Sequence, residues 1–148
     1  MRIRVYYEDT DCGGIVYHTN YIKYCERARS ELFFAQGTPP SHATCGFVVS
    51  ALEAKFLGFA KLGDILEVRT KVLKIGKVQL VLEHKIFVIY QLNKQTTLLE
   101  SSNNTNQDSS AQEVCVFEAQ ARLGYVDVIS QKPIIIPDDF RTLLQKLH

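Results

Sequence analysis

Apolar side chains in the first third of the chain recur at steps of three and four. Tyr21, Cys25, Ala28, Leu32 and Ala35 share one side, while Lys23, Glu26, Arg27, Arg29 and Glu31 fall largely elsewhere. This spacing predicts one amphipathic helix. Thr19 or Asn20 can cap its start, Gly37 can take the left-handed conformation just past its end, and Pro39-Pro40 prevents continuation. Cys25, Ala28 and Ala35 are small, which permits close approach to a sheet.

After the helix the period changes to two. Leu52, Ala54 and Phe56 alternate with Glu53 and Lys55, and Leu66, Val68 and Val72 alternate with Glu67, Arg69 and Lys71. Both runs predict half-buried antiparallel strands. Lys74-Ile75-Gly76-Lys77 reads as a turn into a long strand with Val78, Leu80, Leu82, Ile86 and Val88 on one face. A last strand places Cys115, Phe117, Ala119, Ala121, Leu123 and Tyr125 together. The predicted order is strand, helix, then four strands.

Residues 93–112, NKQTTLLESSNNTNQDSSAQ, carry few side chains whose burial would offset ordering entropy, and read as a mobile polar hairpin extension. The C-terminal segment has a Pro137-Asp138 start and apolar Phe140, Leu143, Leu144 and Leu147, which predicts a short terminal helix. The class is α+β: a curved antiparallel five-stranded sheet wrapped around one long helix, in a single domain over residues 1–148. One helix cannot cover both faces of five strands, so a partner subunit is expected.

Composition narrows the function classes. With 148 residues, 46% hydrophobic, 22% charged and a formal net charge of +1, the chain has no field that would attract nucleic acid broadly. The four cysteines, Cys12, Cys25, Cys45 and Cys115, are scattered without a C-x-x-C pair, as expected of reduced thiols. The N-terminus, MRIRVYYED, runs straight into an alternating strand pattern, and no apolar run approaches the ~18 residues of a membrane span. A cytoplasmic protein without membrane insertion is expected.

The densest chemistry lies in YYEDTDCGGIVYHTNY, residues 6–21. Asp9 and Asp11 repel one another unless water, a cation or hydrogen-bond donors compensate. Such D-x-D runs also occur in plain solvated loops. Gly13-Gly14 breaks the chain before the helix, so Ile15 to His18, with Tyr17 and His18 nearest the helix, can present backbone N–H groups where partial positive charge collects. A carboxylate beside such donors suffices for acyl transfer. Asp11 either attacks a carbonyl itself or activates water, while the N–H groups stabilise the developing oxyanion. A thiol with pKa near ~8.5 leaves with little help from a general acid, so a one-carboxylate site suits a thioester better than an amide. No G-x-S-x-G, H-E-x-x-H or phosphate loop is present. Nothing fixes a third ligand beside Asp9, Asp11 and His18, so no metal and no cofactor is expected.

Over YYEDTDCGGIVYHTNYIKYCERARSE the chain closely resembles the 4-hydroxybenzoyl-CoA thioesterase family of hotdog-fold proteins, in its Tol-Pal-associated, YbgC-type branch of acyl-CoA thioesterases. That family's motif is an aromatic residue, D-x-D, G-x-V-Y/W and N-Y. It appears here as Tyr7, Asp9-Thr10-Asp11, Gly14-Ile15-Val16-Tyr17 and Asn20-Tyr21. The resemblance implies a catalytic carboxylate at Asp11, carbonyl polarisation by the His18 backbone N–H, and participation of Tyr7 and His18. For His18 a purely backbone role and an imidazole role both stand. Lys77, with Lys74 across the turn, falls where the family often carries a basic residue toward coenzyme A phosphates. The resemblance also implies a homodimer or homotetramer with active sites at the dimer interface. Beyond Ser30 the agreement is mainly of pattern.

Two functions follow. One is hydrolysis of acyl-CoA, or of acyl groups on acyl carrier protein, to free acid and thiol. The other is a non-hydrolytic acyl-thioester-binding scaffold linked to phospholipid or envelope metabolism, for which Asp11 would be dispensable.

Overall fold

The sheet is built from the alternating runs, and its inward row accounts for most of the core. A computed structural model describes residues 1–92 and 113–146. In chain order the elements are β1 (Arg2–Arg4), α1 (His18–Phe34), β2 (Ser41–His42), β3 (Cys45–Phe56), β4 (Ile65–Ile75), β5 (Gln79–Tyr90), β6 (Val114–Asp127), β7 (Lys132–Pro133) and α2 (Asp138–Gln145). One antiparallel sheet has the order β1-β4-β5-β6-β3-β2, with β7 paired to the end of β6. The five expected strands are joined by two two-residue arms, β2 and β7. The expected 93–112 extension lies outside the described residues.

The sheet curls around α1, and Tyr21, Tyr24, Cys25 and Ala28 of the helix pack on Leu66, Val68, Ile86, Val88 and Phe117. Tyr21 stacks on Phe117 with ring centroids 5.3 Å apart, and its hydroxyl accepts the buried Ala60 N–H at 2.9 Å. A second cluster, built on Phe33, Leu80, Leu82, Leu123 and Tyr125, is closed by Phe140 and Leu144 of α2. Leu147, assigned to that helix from sequence, lies outside the described residues.

Both ends of α1 differ from the sequence reading. The helix starts at His18, with Tyr17 at the N-cap and no capping side chain, in place of a start near Tyr21 capped by Thr19 or Asn20. The reason is local: Asn20 Nδ2 donates to the Asp9 carbonyl at 2.8 Å, so this side chain ties the helix to the preceding loop. At the other end Ala35 lies past the last helical residue and is exposed, while Tyr24 and Phe33 complete the buried face. Gly37, at φ +73, takes the left-handed conformation expected of it.

Beyond the β2 arm, β3 has no strand on its outer edge among the described residues. Val48, Val49, Leu52, Phe56, Leu57 and Phe59 on or just past β3 are exposed. An apolar edge of this length is an unpaired template for another strand.

Candidate active site

The loop before α1 is a small closed clamp. Tyr17 N–H donates to the Asp9 carbonyl at 2.9 Å, Thr10 and Val16 form an isolated bridge, and Asp11 N–H donates to the Ile15 carbonyl at 3.0 Å. Gly14 N–H closes the tip on the Asp11 carbonyl at 3.0 Å, with Gly14 at φ +70, where an L side chain is strained. The clamp is anchored to the sheet by Val16 N–H on the Ala60 carbonyl, 2.9 Å.

The two acids of D-x-D separate in this clamp. Asp9 is buried, its Oδ2 accepting Tyr6 N–H at 2.9 Å and its carbonyl taking Tyr17 and Asn20, so its work is to hold the loop on the helix. Burial beside Asp9 pushes the Tyr24 phenol well above its ordinary range, so that hydroxyl keeps its proton. Asp11 is exposed at the tip. Its Oδ1 accepts Gly13 N–H at 2.8 Å, and Oδ2 has no partner among the described residues. A Cβ on Gly13 would lie 3.2 Å from Asp11 Oδ1, so glycine gives the carboxylate its room.

The N–H groups expected from Tyr17 and His18 are not equivalent. Tyr17 N–H is committed to Asp9, whereas His18 N–H has no acceptor among the described residues. With no acidic side chain in the first turn and no cap, this helix end keeps its partial positive charge available. The His18 ring lies 4.5 Å from that of Tyr17 and 6.3 Å, edge-on, from that of Phe56, which is 51% exposed. Phe56 was read from sequence only as an inward strand residue. Its place at the very end of β3, level with the helix start, follows from the strand register.

Tyr7 stands in a one-turn 3-10 segment beside the clamp, 82% exposed, with no hydrogen bond on its hydroxyl among the described residues. Lys74 lies in β4 and Lys77 in the turn that follows, at the end of β4 remote from the Asp11 loop. Nine strand steps separate Ile65 from Lys74, roughly 30 Å. The structure therefore brings Asp11, His18 and Phe56 to one end of the sheet and leaves the lysines at the other. Among the described residues no group of three or more His, Cys, Asp or Glu side chains is placed to hold a metal, and no helix is long and apolar enough to cross a membrane.

A helix held in a curled antiparallel sheet, with an exposed carboxylate at its uncapped start, is the hotdog arrangement of thioester-cleaving proteins. Residues 13–89 match the family model of the thioesterase superfamily. The chain is 41% identical over 147 residues to the acyl-CoA thioesterase YbgC of Helicobacter pylori (strain ATCC 700392 / 26695), covering 99% of this chain and 100% of that protein. It is 32% identical to the acyl-CoA thioester hydrolase YbgC of Escherichia coli O157:H7, over 91% and 87% of the two chains. Among solved structures, a 4-hydroxybenzoyl-CoA thioesterase bound to 4-hydroxybenzoyl-CoA superimposes with a TM-score of 0.76 at 18% identity, over 97% and 96% of the chains. A hypothetical protein from Aquifex aeolicus does so with a TM-score of 0.75 at 21% identity, covering 97% of each. The chain belongs to the thioesterase superfamily, alongside the YbgC thioesterases.

Proposed function

We propose that the chain hydrolyses acyl-CoA to free acid and coenzyme A, with Asp11 as the catalytic carboxylate and the His18 N–H as the oxyanion donor. The observation that carries this reading is an exposed Asp11 carboxylate, fixed through Oδ1 with Oδ2 unpartnered, beside an uncapped helix start. The near full-length similarity to acyl-CoA thioesterases supports the choice of substrate. The thioester oxygen sits on the His18 N–H as negative charge develops, and Asp11 either takes a proton from the attacking water or adds to the carbonyl carbon. Either route breaks the C–S bond and releases a thiolate, a good leaving group; on the second route the acyl group is left as an anhydride on Asp11, which water hydrolyses to the free acid and the regenerated carboxylate.

The working form is a homodimer or homotetramer joined along the free edge of β3. The exposed apolar row there, together with the open placement of Asp11, Tyr7 and Phe56 at its end, supports a site completed by a second protomer. Tyr7, beside the clamp, and the His18 ring then border the reacting group.

The test is to incubate the wild type with acyl-CoAs of increasing chain length and identify products by mass. Catalytic appearance of free acid and coenzyme A is expected. A wild type that binds acyl-CoA and releases neither product is an acyl-thioester-binding scaffold, and the enzyme reading fails.

A further inference from the structure

The inward row of β5 reads Leu80, Leu82, His84, Ile86, Val88: one imidazole in an otherwise apolar face. His84 is 0% exposed. Its Nδ1 shares a hydrogen bond with Thr70 Oγ1 at 2.9 Å, and its Nε2 is buried with no partner. Whichever atom carries the shared proton, Nε2 is left with an unmet lone pair or an unmet N–H. Leaving a buried polar atom unmatched is destabilising, so a position with only a packing role would favour an apolar side chain here.

The residue borders a cavity between α1 and the sheet. Thr70 holds the ring from the β4 side, and the opposite neighbour on β6 is Ala119. Ala119 and Ala121, both small, line a cavity of about 110 Å³ with His84, Leu52 of β3, and Cys25 and Arg29 of α1. That is several times the ~30 Å³ share of one water molecule. The cavity starts at Ile22, one turn past the uncapped helix start, and reaches Arg29. At 1.5 Å per residue, the level of Cys25 is about 10 Å along the axis from His18. A second cavity, of about 170 Å³, continues past Glu26 and Arg29 toward Phe33 and Phe47.

We propose that this cavity takes the acyl chain and that His84 Nε2 hydrogen-bonds an oxygen carried on it, so that acyl groups with a mid-chain hydroxyl are preferred over plain alkyl chains. The inference rests on the thioesterase reading and adds a substrate class to it. A hydroxyl satisfies either tautomer, because it both donates and accepts. Burial, with Arg29 nearby, lowers the imidazole to about 4, so His84 is neutral at physiological pH and offers hydrogen bonding without charge. A plain chain in the same place would leave Nε2 unmatched, which is the basis of discrimination.

The test uses matched acyl-CoA pairs of equal length, plain and carrying one hydroxyl moved outward carbon by carbon, with the wild type and His84→Leu. The wild type is expected to favour the hydroxylated member by at least ~10-fold in kcat/KM at one mid-chain position, and His84→Leu to bring that ratio to within about threefold of one. If His84→Leu does not fold, His84→Met takes its place. No preference at any position, or a preference that survives the substitution, overturns the inference. If no pair yields free thiol, the thioesterase reading fails. The same preference, measured as Kd by titration calorimetry, then decides the inference separately.

Discussion

At the residue scale, the site depends on where one carboxylate is held. Asp11 Oδ1 takes the Gly13 N–H, and a Cβ at Gly13 would press on that oxygen at 3.2 Å. Gly13→Ala should reduce kcat for thiol release by about tenfold through misplacement of the carboxylate, with the melting temperature little changed because the loop tip is exposed. Unchanged kcat would mean that the carboxylate tolerates displacement. His84 makes a prediction about pH. In the unfolded chain it titrates near ~6.5, and in the folded protein burial lowers it to about 4. Between those values the unfolded chain binds a proton that the folded chain does not, so the stabilisation is complete above ~6.5 and is lost as pH falls toward 4. The other ionisable groups around its cavity are Cys25, Glu26 and Arg29 of α1, which His84→Leu leaves in place. Urea midpoints from pH 7 to pH 4 should therefore fall more steeply for the wild type than for His84→Leu. Equal slopes would contradict a neutral buried imidazole. The exposed loop that carries Asp11 was legible in the sequence because D-x-D and two glycines mark it. The alternation Leu80, Leu82, Ile86, Val88 also marked position 84 as inward, yet only the fold shows that its Nε2 goes unmatched.

At the element scale, α1 and the strands were legible from their periods, and the helix start was not. Polar residues at 18–20 look like caps, but their use depends on a contact eleven residues back, where the Asp9 carbonyl takes Asn20. That contact moves the start to His18 and leaves its N–H unpartnered, which spacing alone could not reveal. Tyr21 joins this helix to the β3–β4 connection through the Ala60 N–H, and Ala60 in turn holds Val16 of the clamp. Tyr21→Phe strands a buried N–H and should cost about 1–3 kcal/mol in urea unfolding, together with a fall in kcat as the clamp loosens. A loss of stability with no effect on kcat would separate the clamp from the helix packing.

At the scale of the whole molecule, the sequence predicted a sheet only partly covered by its helix, and the fold locates the uncovered part along β3. Val48 and Leu57, both exposed, stand near opposite ends of that edge. Sedimentation velocity should find the wild type as a dimer or larger, and Val48→Asp/Leu57→Asp shifted toward monomer with loss of activity. A monomeric, fully active wild type would show that one chain suffices. Lys74 and Lys77 illustrate what the sequence alone could not place, since strand length sets them at the end of β4 remote from the Asp11 loop. The proposed chemistry turns on Asp11, and steady-state thiol release by Asp11→Asn measures its role most directly, in protein whose melting temperature and sedimentation match the wild type. The expected result is a fall in kcat of at least ~100-fold with KM within a few-fold; kcat within a few-fold of wild type would contradict it.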